Sequence, residues 1–546
     1  MATPTTGRRR RSYRILRLFF SLVLSFLVQY LRARLSGHSY DFFADSRHNR
    51  RRAIKIRSNA LEMGGVLIKL GQFLSSRVDL LPIEYIEELA LLQDEVPGVP
   101  FRDIRATVQE ELGTQLEELF SSFDAEPIAA ASLGQVHEAT LKTGERVAVK
   151  VRRPHIAEIV EADLASLQYI VTWLNRFSPV RKRVNLPLIF REFEDTLRME
   201  LDYIAEGHHA ERLAIAFRDW TDVSIPRIYW SHSTGRVLTM QYMWGIKVTD
   251  FAGLERAGIS RSLVADILMR AYLKQVLEDG FFHADPHPGN IFIRPGPVVV
   301  FLDHGMVGEL SPQTGSNIRR VFLGVVRRDF DDVVLALQKL GFFTRDVDIL
   351  AVKRSLVWAV DTFYEMSLGQ LQTVNPFDVL DQVQDILYSE SFQIPANFAF
   401  LGRALGTLSG LCTALDPSFQ FVSVAEPYAR GLLRGPAGFR GVVAQIASEA
   451  RSLAATAYSL PYLSRHALQR MQEEEIGVRH ELSELSRAGE RVERAVRRIL
   501  YAMLLTGFLL TGALVFPTRY GAWSLVAFAI AFVLLVYLVV SIGRRK

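Results

Sequence analysis

The stretch between residues 281 and 305 constrains the fold of this 546-residue chain more than any other part of its sequence. His283, Asp285 and Asn290 stand in one loop with the spacing H-x-D-x-x-x-x-N. An apolar run with the character of a strand then leads to Asp303, which a histidine and a glycine follow. Each fragment alone is common in proteins. Their order, their spacing and the intervening strand together are specific.

A loop and strand of this kind are typical of protein kinases, which carry H-R-D-x-x-x-x-N followed by D-F-G. Phosphoryl transfer concentrates negative charge on the terminal phosphates of ATP, and Mg²⁺ neutralises that charge. We expect Asn290 and Asp303 to supply oxygen ligands to Mg²⁺, and Asp285 to orient or deprotonate the attacking group. His283 is expected to brace the backbone rather than to carry a proton. A zinc site built on the histidines is disfavoured because two prolines interrupt the loop.

The kinase template also requires a lysine on a strand and a glutamate on a helix that pairs with it. The segment Val147-Ala-Val-Lys150 follows a glycine-containing turn and supplies a strand lysine. A helical pattern over residues 188–217 supplies the candidate partners. Glu206 is the predicted partner of Lys150, with Glu200 and Asp202 as alternatives because spacing alone does not decide among them.

Kinases cover the phosphates of ATP with a glycine-rich loop, and this chain has alanines at that place. The residues expected to contact the nucleotide there are Ala129, Ala130, Ala131 and Ser132. Alanine keeps the small volume of glycine but lacks its freedom to adopt positive φ, so we expect a stiffer loop. Gln241 and Met243 follow a predicted strand at the place of the adenine-binding hinge, an assignment made by position alone.

Periodicity predicts the elements around these motifs. Apolar residues at helical spacing predict helices over residues 60–92, with a break at Pro82, and over residues 101–120. Alternating patterns predict strands near residues 225–231 and 236–242, on either side of a Ser-Thr-Gly turn. The later part of the chain is mostly helical. We therefore expect an α+β, protein-kinase-like fold of two lobes, a small one with strands and a larger helical one.

Composition excludes several classes of protein. The chain is 49% apolar and 23% charged, which excludes a disordered polypeptide. Its single cysteine excludes an internal disulfide framework. The net charge of +5 is uneven: residues 1–60 carry 14 Lys and Arg against 2 Asp and Glu, and residues 491–546 carry 8 against 1, so the part between them is acidic. Because nucleic-acid-binding proteins carry a basic surface on the folded domain, we expect membrane lipid rather than nucleic acid as a partner.

Two uncharged runs near the C-terminus, residues 499–516 and 522–542, are long enough to cross a bilayer. They predict a transmembrane helical hairpin, and the basic residues that flank it place the catalytic domain in the cytoplasm. A charged helical stalk over residues 466–498 precedes the hairpin. Near the N-terminus, residues 18–31 predict a membrane-surface helix, with a third span as the alternative. These patterns together predict a multi-pass protein of the inner (cytoplasmic) membrane.

Further motifs resemble those of the UbiB family of atypical kinase-like proteins, which comprises bacterial quinone-biosynthesis proteins and their mitochondrial and plastid relatives. The resemblance covers roughly residues 60–430. The alanine-rich loop, a K-x-G-Q motif at Lys69-Leu-Gly-Gln72 and an E-x-D motif at Glu200-Leu-Asp202 carry it. The chain departs from many members at His304, where they have the phenylalanine of D-F-G.

This resemblance implies roles that the residues alone do not suggest. It implies that the helix with Lys69 and Gln72 lies across the active site, close to Glu200 and Asp202, and that this accessory cluster limits phosphorylation of proteins. It implies slow ATP hydrolysis with ATP or ADP and Mg²⁺ as cofactors, and support of ubiquinone or related isoprenoid-quinone biosynthesis. The implied partners are membrane lipid, quinone precursors and quinone-biosynthesis proteins.

The sequence thus predicts a chain of six segments. They are a basic N-terminal segment (1–59), a helical extension (60–125), a small lobe (126–245), a helical large lobe (246–465), the stalk (466–498) and the membrane hairpin (499–546). Three functions fit this organisation: a membrane-anchored ATPase, a true kinase acting on a protein or a small lipid precursor, and a nucleotide-binding scaffold without catalysis. Retention of all the catalytic-type residues favours an enzyme over the scaffold.

Overall fold

A computed structural model describes most of the N-terminal four-fifths of the chain. The described residues are 4–35, 46–75, 81–92, 98–176, 185–343, 348–363, 395, 398–434 and 530–531. The chain divides into two compact units, Met1–Gly431 and Leu432–Lys546. All the sites described below belong to the first unit.

Several predicted segments fall outside this description. The stalk at 466–498 and the first proposed membrane span at 499–516 lie outside the described residues. Of the second proposed span, 522–542, the structure describes residues 530 and 531, which are helical. The hairpin therefore stays a prediction.

Helices and short strands alternate along the described chain. The helices are α1 (Pro4–Leu35), α2 (Ser46–Met63), α3 (Val66–Ser75), α4 (Ile83–Ala90), α5 (Phe101–Leu112), α6 (Leu116–Leu119), α7 (Ile156–Leu174), α8 (Leu186–Glu200), α9 (Tyr203–Ala216), α10 (Phe251–Arg256), α11 (Arg261–Lys274), α12 (Pro312–Arg327), α13 (Phe330–Lys339), α14 (Ile349–Phe363), α15 (Ala399–Leu415) and α16 (Phe421–Arg434). The strands are β1 (Phe120–Ala130), β2 (Gly134–Leu141), β3 (Arg146–Arg152), β4 (Val223–Ser224), β5 (Val237–Gln241), β6 (Ile246–Lys247), β7 (Phe281–His283), β8 (Ile291–Arg294), β9 (Val298–Phe301) and β10 (Val307–Glu309).

Helices α1 to α4 pack with α7 and α8 around one apolar core. Ile68 of α3, Leu89 of α4, Val160 of α7 and Leu197 of α8 are at most 1% exposed within it. Such helices are stable because each buries one apolar stripe against its neighbours. The pair α7 and α8 lies in sequence between β3 and α9, so this helical layer is tied at both ends to the elements that carry Lys150 and Glu206.

Helix α1 joins this layer through a buried ion pair. Arg11 Nε lies 2.7 Å from Oδ1 of Asp163 on α7, and the Asp163 side chain is fully buried. Arg11 also donates to the carbonyl oxygen of Gly64 at 2.9 Å. Among the described residues, one segment, Arg10–Arg32 within α1, is long and apolar enough to cross a membrane. The predicted membrane-surface helix thus corresponds to the C-terminal part of a longer helix.

The small lobe is an antiparallel sheet with the strand order β1-β2-β3-β5. Ile104 and Val108 of α5 pack against Val147 and Val149 of β3 in its core, and all four are fully buried. A glycine is required at position 134, the start of β2, because a Cβ there would lie 2.5 Å from the Tyr203 hydroxyl. The alternation of buried and half-exposed residues along β3 orients Lys150 away from that core.

The large lobe begins with short strands and continues with helices. A second sheet has the strand order β4-β9-β8-β6, and β7 pairs with β10. Strand β9 ends at Phe301, so the predicted apolar strand before Asp303 is present. Helix α11 packs against α15, where the Cys412 thiol is buried near the carbonyl oxygen of Ala265. These elements hold the loop between β7 and β8 that carries Asp285 and Asn290, which is called the catalytic-type loop below.

Four predicted elements differ from the structure. The helix predicted from residue 60 is interrupted at Gly64 and Gly65, which have positive φ values of 63° and 61°, so α2 ends at Met63 and α3 begins at Val66. The helix predicted over 101–120 ends at Leu112, because Gly113 adopts a positive φ of 69° and donates to the Gln109 carbonyl. The helical pattern over 188–217 is two helices, since Asp202 caps α9 by accepting a hydrogen bond from Ala205 N at 2.9 Å.

The strand predicted over 225–231 is wrong. Only Ile228 of that segment forms a β-bridge, with Met240, and residues Trp230–His232 form a 3₁₀ turn. Pro226 has no N–H to donate to a ladder, which explains why an apolar segment does not pair regularly. The strand predicted over 236–242 corresponds to β5.

Candidate active site

Lys150 on β3 contacts two carboxylates from two other elements. Its Nζ lies 2.7 Å from Glu206 Oε1 on α9 and 2.8 Å from Glu206 Oε2. It also lies 3.3 Å from Asp303 Oδ2, just after β9. The predicted ion pair between Lys150 and Glu206 is therefore present, and the alternatives Glu200 and Asp202 do not form it.

Burial and charge shift the pKa values of this triad in different directions. Burial lowers the pKa of Lys150, but Asp303 and Glu206 outweigh that effect and hold it well above its ordinary value. Burial raises the pKa of Glu206 to about 7, although the Lys150 ammonium opposes the rise. Burial also acts to raise the pKa of Asp303, but Lys150 and the Gly305 N–H hold it below its usual range. Lys150 and Asp303 are thus charged at neutral pH.

His283 braces the catalytic-type loop, as the sequence predicted. Its Nε2 hydrogen-bonds the carbonyl oxygen of Asp303, and its Nδ1 accepts from the backbone N–H of Asp285 at 3.1 Å. The Tyr272 hydroxyl donates to the His283 carbonyl at 3.1 Å. Burial lowers the pKa of His283, so the ring is neutral. Its effect is to fix Asp285 relative to Asp303.

His304 occupies the place of the phenylalanine in D-F-G and is a buried, uncharged ring. Its side chain is 1% exposed and its ring centroid lies 5.8 Å from that of His283. Burial lowers the pKa of His304 to about 3, so the ring carries no charge. His209 Nδ1 donates to the His304 carbonyl at 3.1 Å and fixes this backbone. Although His304 replaces the phenylalanine of D-F-G, the backbone next to Asp303 is therefore still fixed by a hydrogen bond.

One cavity brings together residues from distant parts of the sequence. It has a volume of about 350 Å³ and lies against the catalytic-type loop. Asp285, Asn290 and Asp303 line one side of it. The predicted catalytic and metal-binding oxygen atoms therefore share one space.

The alanine-rich loop forms another wall of the same cavity. Ala130, Ala131 and Ser132 line it, whereas Ala129 lies in β1 opposite Val136. Ala131 N donates to the Gly134 carbonyl at 2.8 Å and closes the turn. No residue from 129 to 135, all of them described, has a positive φ. Because the backbone needs no glycine freedom there, alanine is compatible with the loop.

The structure places only part of the accessory cluster (Lys69, Gln72, Glu200 and Asp202) at the cavity. Lys69 on α3 forms an ion pair with Glu200 at 2.7 Å, and Gln72 Nε2 donates to the Leu92 carbonyl at 2.9 Å. These three side chains line the cavity. Asp202 is not among the described residues that line it, and its carboxylate caps α9.

The predicted hinge residues lie away from this cavity. Gln241 ends β5, where its backbone N–H donates to the Arg227 carbonyl at 2.7 Å. Neither Gln241 nor Met243 is among the described residues that line the cavity. Their contact with a nucleotide base stays a prediction.

Sequence reasoning missed the residues that α15 contributes. Arg403 and Thr407 line the cavity, and so does Met306, which follows the Asp-His-Gly segment. Arg403 and Thr407 are four apart on α15 and therefore share a face. That spacing is common in helices, and about 100 residues separate Arg403 from Asp303, so the pattern gave no usable signal.

The residues present fit a magnesium nucleotide. Ser132 Oγ is buried at the cavity wall and has no hydrogen-bond partner within the described part of the chain. A phosphate oxygen would satisfy it. Asn290 and Asp303 provide the oxygen ligands that Mg²⁺ prefers. Among the described residues, no group of three or more His, Cys, Asp and Glu could hold a metal ion by itself.

Comparisons with known proteins agree with this chemistry. The sequence model of the ABC1 atypical kinase-like domain matches residues 91–337. An uncharacterized protein of Synechocystis is 36% identical over 477 residues, which cover 86% of this chain and 81% of the relative. The chloroplastic protein Activity of BC1 Complex Kinase 8 of Arabidopsis thaliana is 36% identical over 409 residues, 69% of this chain and 54% of that protein.

A solved structure is also similar. It is the complex of Rv3197 with erythromycin from Mycobacterium tuberculosis, which aligns with 69% of this chain and 94% of that chain. The TM-score is 0.49 and the sequence identity is 24%.

Proposed function

Because the chain belongs to the ABC1 atypical kinase-like family, we propose that it binds Mg-ATP in the cavity beside Asp303 and hydrolyses it slowly. One observation carries this proposal. Asp285, Asn290 and Asp303 line the same cavity as the alanine-rich loop, whose Ser132 hydroxyl is buried without a partner. This arrangement provides oxygen ligands for a metal and a donor for phosphate in one cavity.

The residues around the cavity have distinct tasks in this proposal. Bound Mg-ATP would supply the reactive γ-phosphate with part of its charge neutralised. Asn290 and Asp303 would hold the metal ion. Lys150, fixed by Glu206, would contact phosphate oxygens near Asp303. Asp285 would orient or deprotonate the attacking water, for which its carboxylate is available because it has no side-chain partner within the described residues.

ATP turnover by the full-length chain tests this assignment. We expect Asp285→Asn to lower turnover at least about 100-fold, because the general base is lost. The affinity for Mg-nucleotide is expected to stay unchanged. Asp219→Asn, at an exposed site on the surface, is the matched control. Full turnover in Asp285→Asn would show that Asp285 has no catalytic part.

Transfer to an acceptor is a second candidate function, favoured by the apolar part of the cavity. Phe73, Phe193 and Leu197 line the cavity together with Asp285. A small lipid-soluble alcohol would find apolar contacts there. Incubation with labelled ATP and a membrane extract should then label a lipid in an Asp285-dependent manner. Absence of any labelled product would leave water as the acceptor.

We infer that the accessory cluster restricts access of protein substrates. Lys69 and Glu200 pair across the cavity wall and tie α3 to α8. Lys69→Met should loosen α3 and increase self-phosphorylation, whereas Lys55→Met, at an exposed position on α2, should not. Equal phosphate incorporation in both variants would remove this gating role.

Membrane attachment and support of isoprenoid-quinone biosynthesis complete the proposal. The first is supported by the apolar runs of the sequence and the apolar part of α1, and the second by the family motifs. A quinone-deficient strain should recover with the wild-type chain and not with Asp303→Asn. Recovery with Asp303→Asn would instead support a scaffold without catalysis.

A further inference from the structure

Arg403 is a cationic side chain at the cavity that the proposed function has not used. It lies on α15, and its neighbours Ala404 and Leu408 are fully buried. Arg403 itself lines the cavity with Thr407, one turn further along the helix. Helix α15 therefore packs with one face and presents an arginine to the cavity with the adjacent face.

The guanidinium of Arg403 lacks the partners that a cation in such a place normally has. Nη2 lies 3.5 Å from the thioether sulfur of Met306, which is a weak acceptor. Nε is buried without a hydrogen-bond partner. Among the described residues, no carboxylate pairs with this guanidinium, and the ring that lies beneath it is that of Phe400, at 5.4 Å.

The other cations of the site are already engaged. Lys69 pairs with Glu200 at 2.7 Å, and Lys150 pairs with Glu206 at the same distance. Arg403 is thus the cation at this cavity that, within the described residues, lacks a carboxylate partner. Because a buried donor without a partner is costly, a ligand with anionic oxygen atoms would stabilise it.

The position of Arg403 specifies which anion that is. Its contact, Met306, comes directly after the Asp303-His304-Gly305 segment, and the Met306 carbonyl accepts from Ala284 N at 3.0 Å. Ala284 is adjacent to Asp285. The guanidinium therefore contacts the side chain of Met306, whose own backbone lies next to the proposed metal ligand and bonds the residue before the proposed base, where the terminal phosphate of ATP would lie.

We propose that Arg403 binds the terminal phosphate of the nucleotide. This inference rests on the proposed nucleotide site and adds to it a residue that distinguishes ATP from ADP. A planar guanidinium donates two parallel hydrogen bonds to a phosphate, which an ammonium does not reproduce. The carboxylate or phosphate of an acceptor molecule has the same chemistry, and the two sources differ in their dependence on the nucleotide.

The test compares two ligands on the full-length chain in detergent. Mg-ADP and the Mg complex of a non-hydrolysable ATP analogue are titrated into the wild type and into Arg403→Gln and Arg403→Lys. We expect Arg403→Gln to weaken binding of the ATP analogue by about 10- to 100-fold, the usual effect of losing a hydrogen bond to a charged group. Mg-ADP affinity should stay unchanged. Arg403→Lys should lie between, because the charge remains but the fork is lost.

Arg430→Gln, at an exposed position on α16, is the matched control and should bind both ligands as the wild type does. Equal weakening of both ligands by the Arg403 variants would mean a structural role and would overturn the inference. An unchanged affinity for both would assign Arg403 to an acceptor anion or to none, and would also overturn it. If Arg403→Gln does not fold, the ratio of the two affinities in Arg403→Lys decides in the same way. A wild type that binds neither nucleotide would overturn the proposed function itself, and this inference with it.

Discussion

Lys150 is the residue on which the electrostatics of the site depend. Its ammonium lies within 3.3 Å of both Glu206 and Asp303, and the Glu206 side chain is only 2% exposed. A carboxylate buried to that extent is tolerated because it is paired. Burial raises the pKa of Glu206 to about 7, so the pairing with Lys150 offsets only part of the free-energy cost of removing this carboxylate from water.

Replacing this lysine should make stability depend on pH in a defined direction. A Glu206 pKa above its ordinary 4.5 contributes stability at low pH that is lost as the pH rises through about 7. In Lys150→Met no ammonium offsets that loss. The free energy of unfolding should therefore fall more at pH 8 than at pH 5, by at least about 1 kcal/mol.

Urea unfolding of Lys150→Met at the two pH values provides the measurement, with Lys247→Met, at an exposed position on β6, as control. The same cost at both pH values would mean that Glu206 stays ionised without its partner.

Most of the catalytic-type residues could be predicted from the sequence, because they belong to short segments with fixed spacing. Asp285, Asn290 and Asp303 lie within 20 residues, and Lys150 follows a recognisable strand pattern. Arg403 could not be predicted, since its helix is distant in sequence and nothing local marks an arginine as facing a cavity. The position of Gln241 relative to the cavity could not be predicted either, because it depends on the curvature of a sheet, which a sequence pattern does not specify.

The alanine-rich loop is positioned by the element that follows it. Gly134 begins β2 directly after the loop, beside Tyr203 at the start of α9. An added Cβ would meet the Tyr203 hydroxyl at 2.5 Å and the Val151 carbonyl at 2.8 Å. Because Tyr203 is itself packed near the Lys150 ammonium, at 5.2 Å from its ring, the loop, the strand lysine and α9 are held as one group.

Gly134→Ala should therefore destabilise the small lobe. Overpacking of this kind costs about 2 kcal/mol, since backbone rather than a flexible side chain must move. Gly235→Ala is the matched control, because an added Cβ there meets no atom within 4 Å. The measurement is the free energy of unfolding of both variants. Equal stability would show that Tyr203 and the loop move apart at no cost.

The elements themselves were predictable where local chemistry decides them. The strand that carries Lys150 follows its pattern, and α4 begins directly after Pro82, the predicted break. The break between α8 and α9 was missed, because both sides have helical periodicity and only the Asp202 cap separates them. The core shared by α1 to α4 with α7 and α8 is a tertiary feature, which no single segment encodes.

At the scale of the whole molecule, the N-terminal helix is both apolar and attached to the folded body. Phe19 of α1 packs against Trp173 of α7 with ring centroids 5.5 Å apart. Arg11 binds the fully buried Asp163. The basic N-terminal segment thus contributes to folding as well as to the uneven positive charge of the chain.

Arg11→Ala should lower the free energy of unfolding by about 3 kcal/mol, because Asp163 would be left buried without its cation. Arg10→Ala, at an exposed neighbouring position, should change it little. Chemical denaturation of the two variants in detergent measures the difference. If both variants are equally stable, α1 does not dock on α7 in solution, and its role is confined to the membrane.

The central claim is that one cavity binds a magnesium nucleotide through Asp303, and calorimetric titration of the full-length chain with Mg-ADP tests it most directly. We predict Mg-dependent binding that Asp303→Asn weakens at least about 10-fold, because the metal loses a carboxylate ligand. Asp416→Asn, at a site whose carboxylate bonds Ser418 rather than the cavity, should bind as the wild type does. Binding that is unaffected by Asp303→Asn, or that needs no Mg²⁺, would contradict the claim.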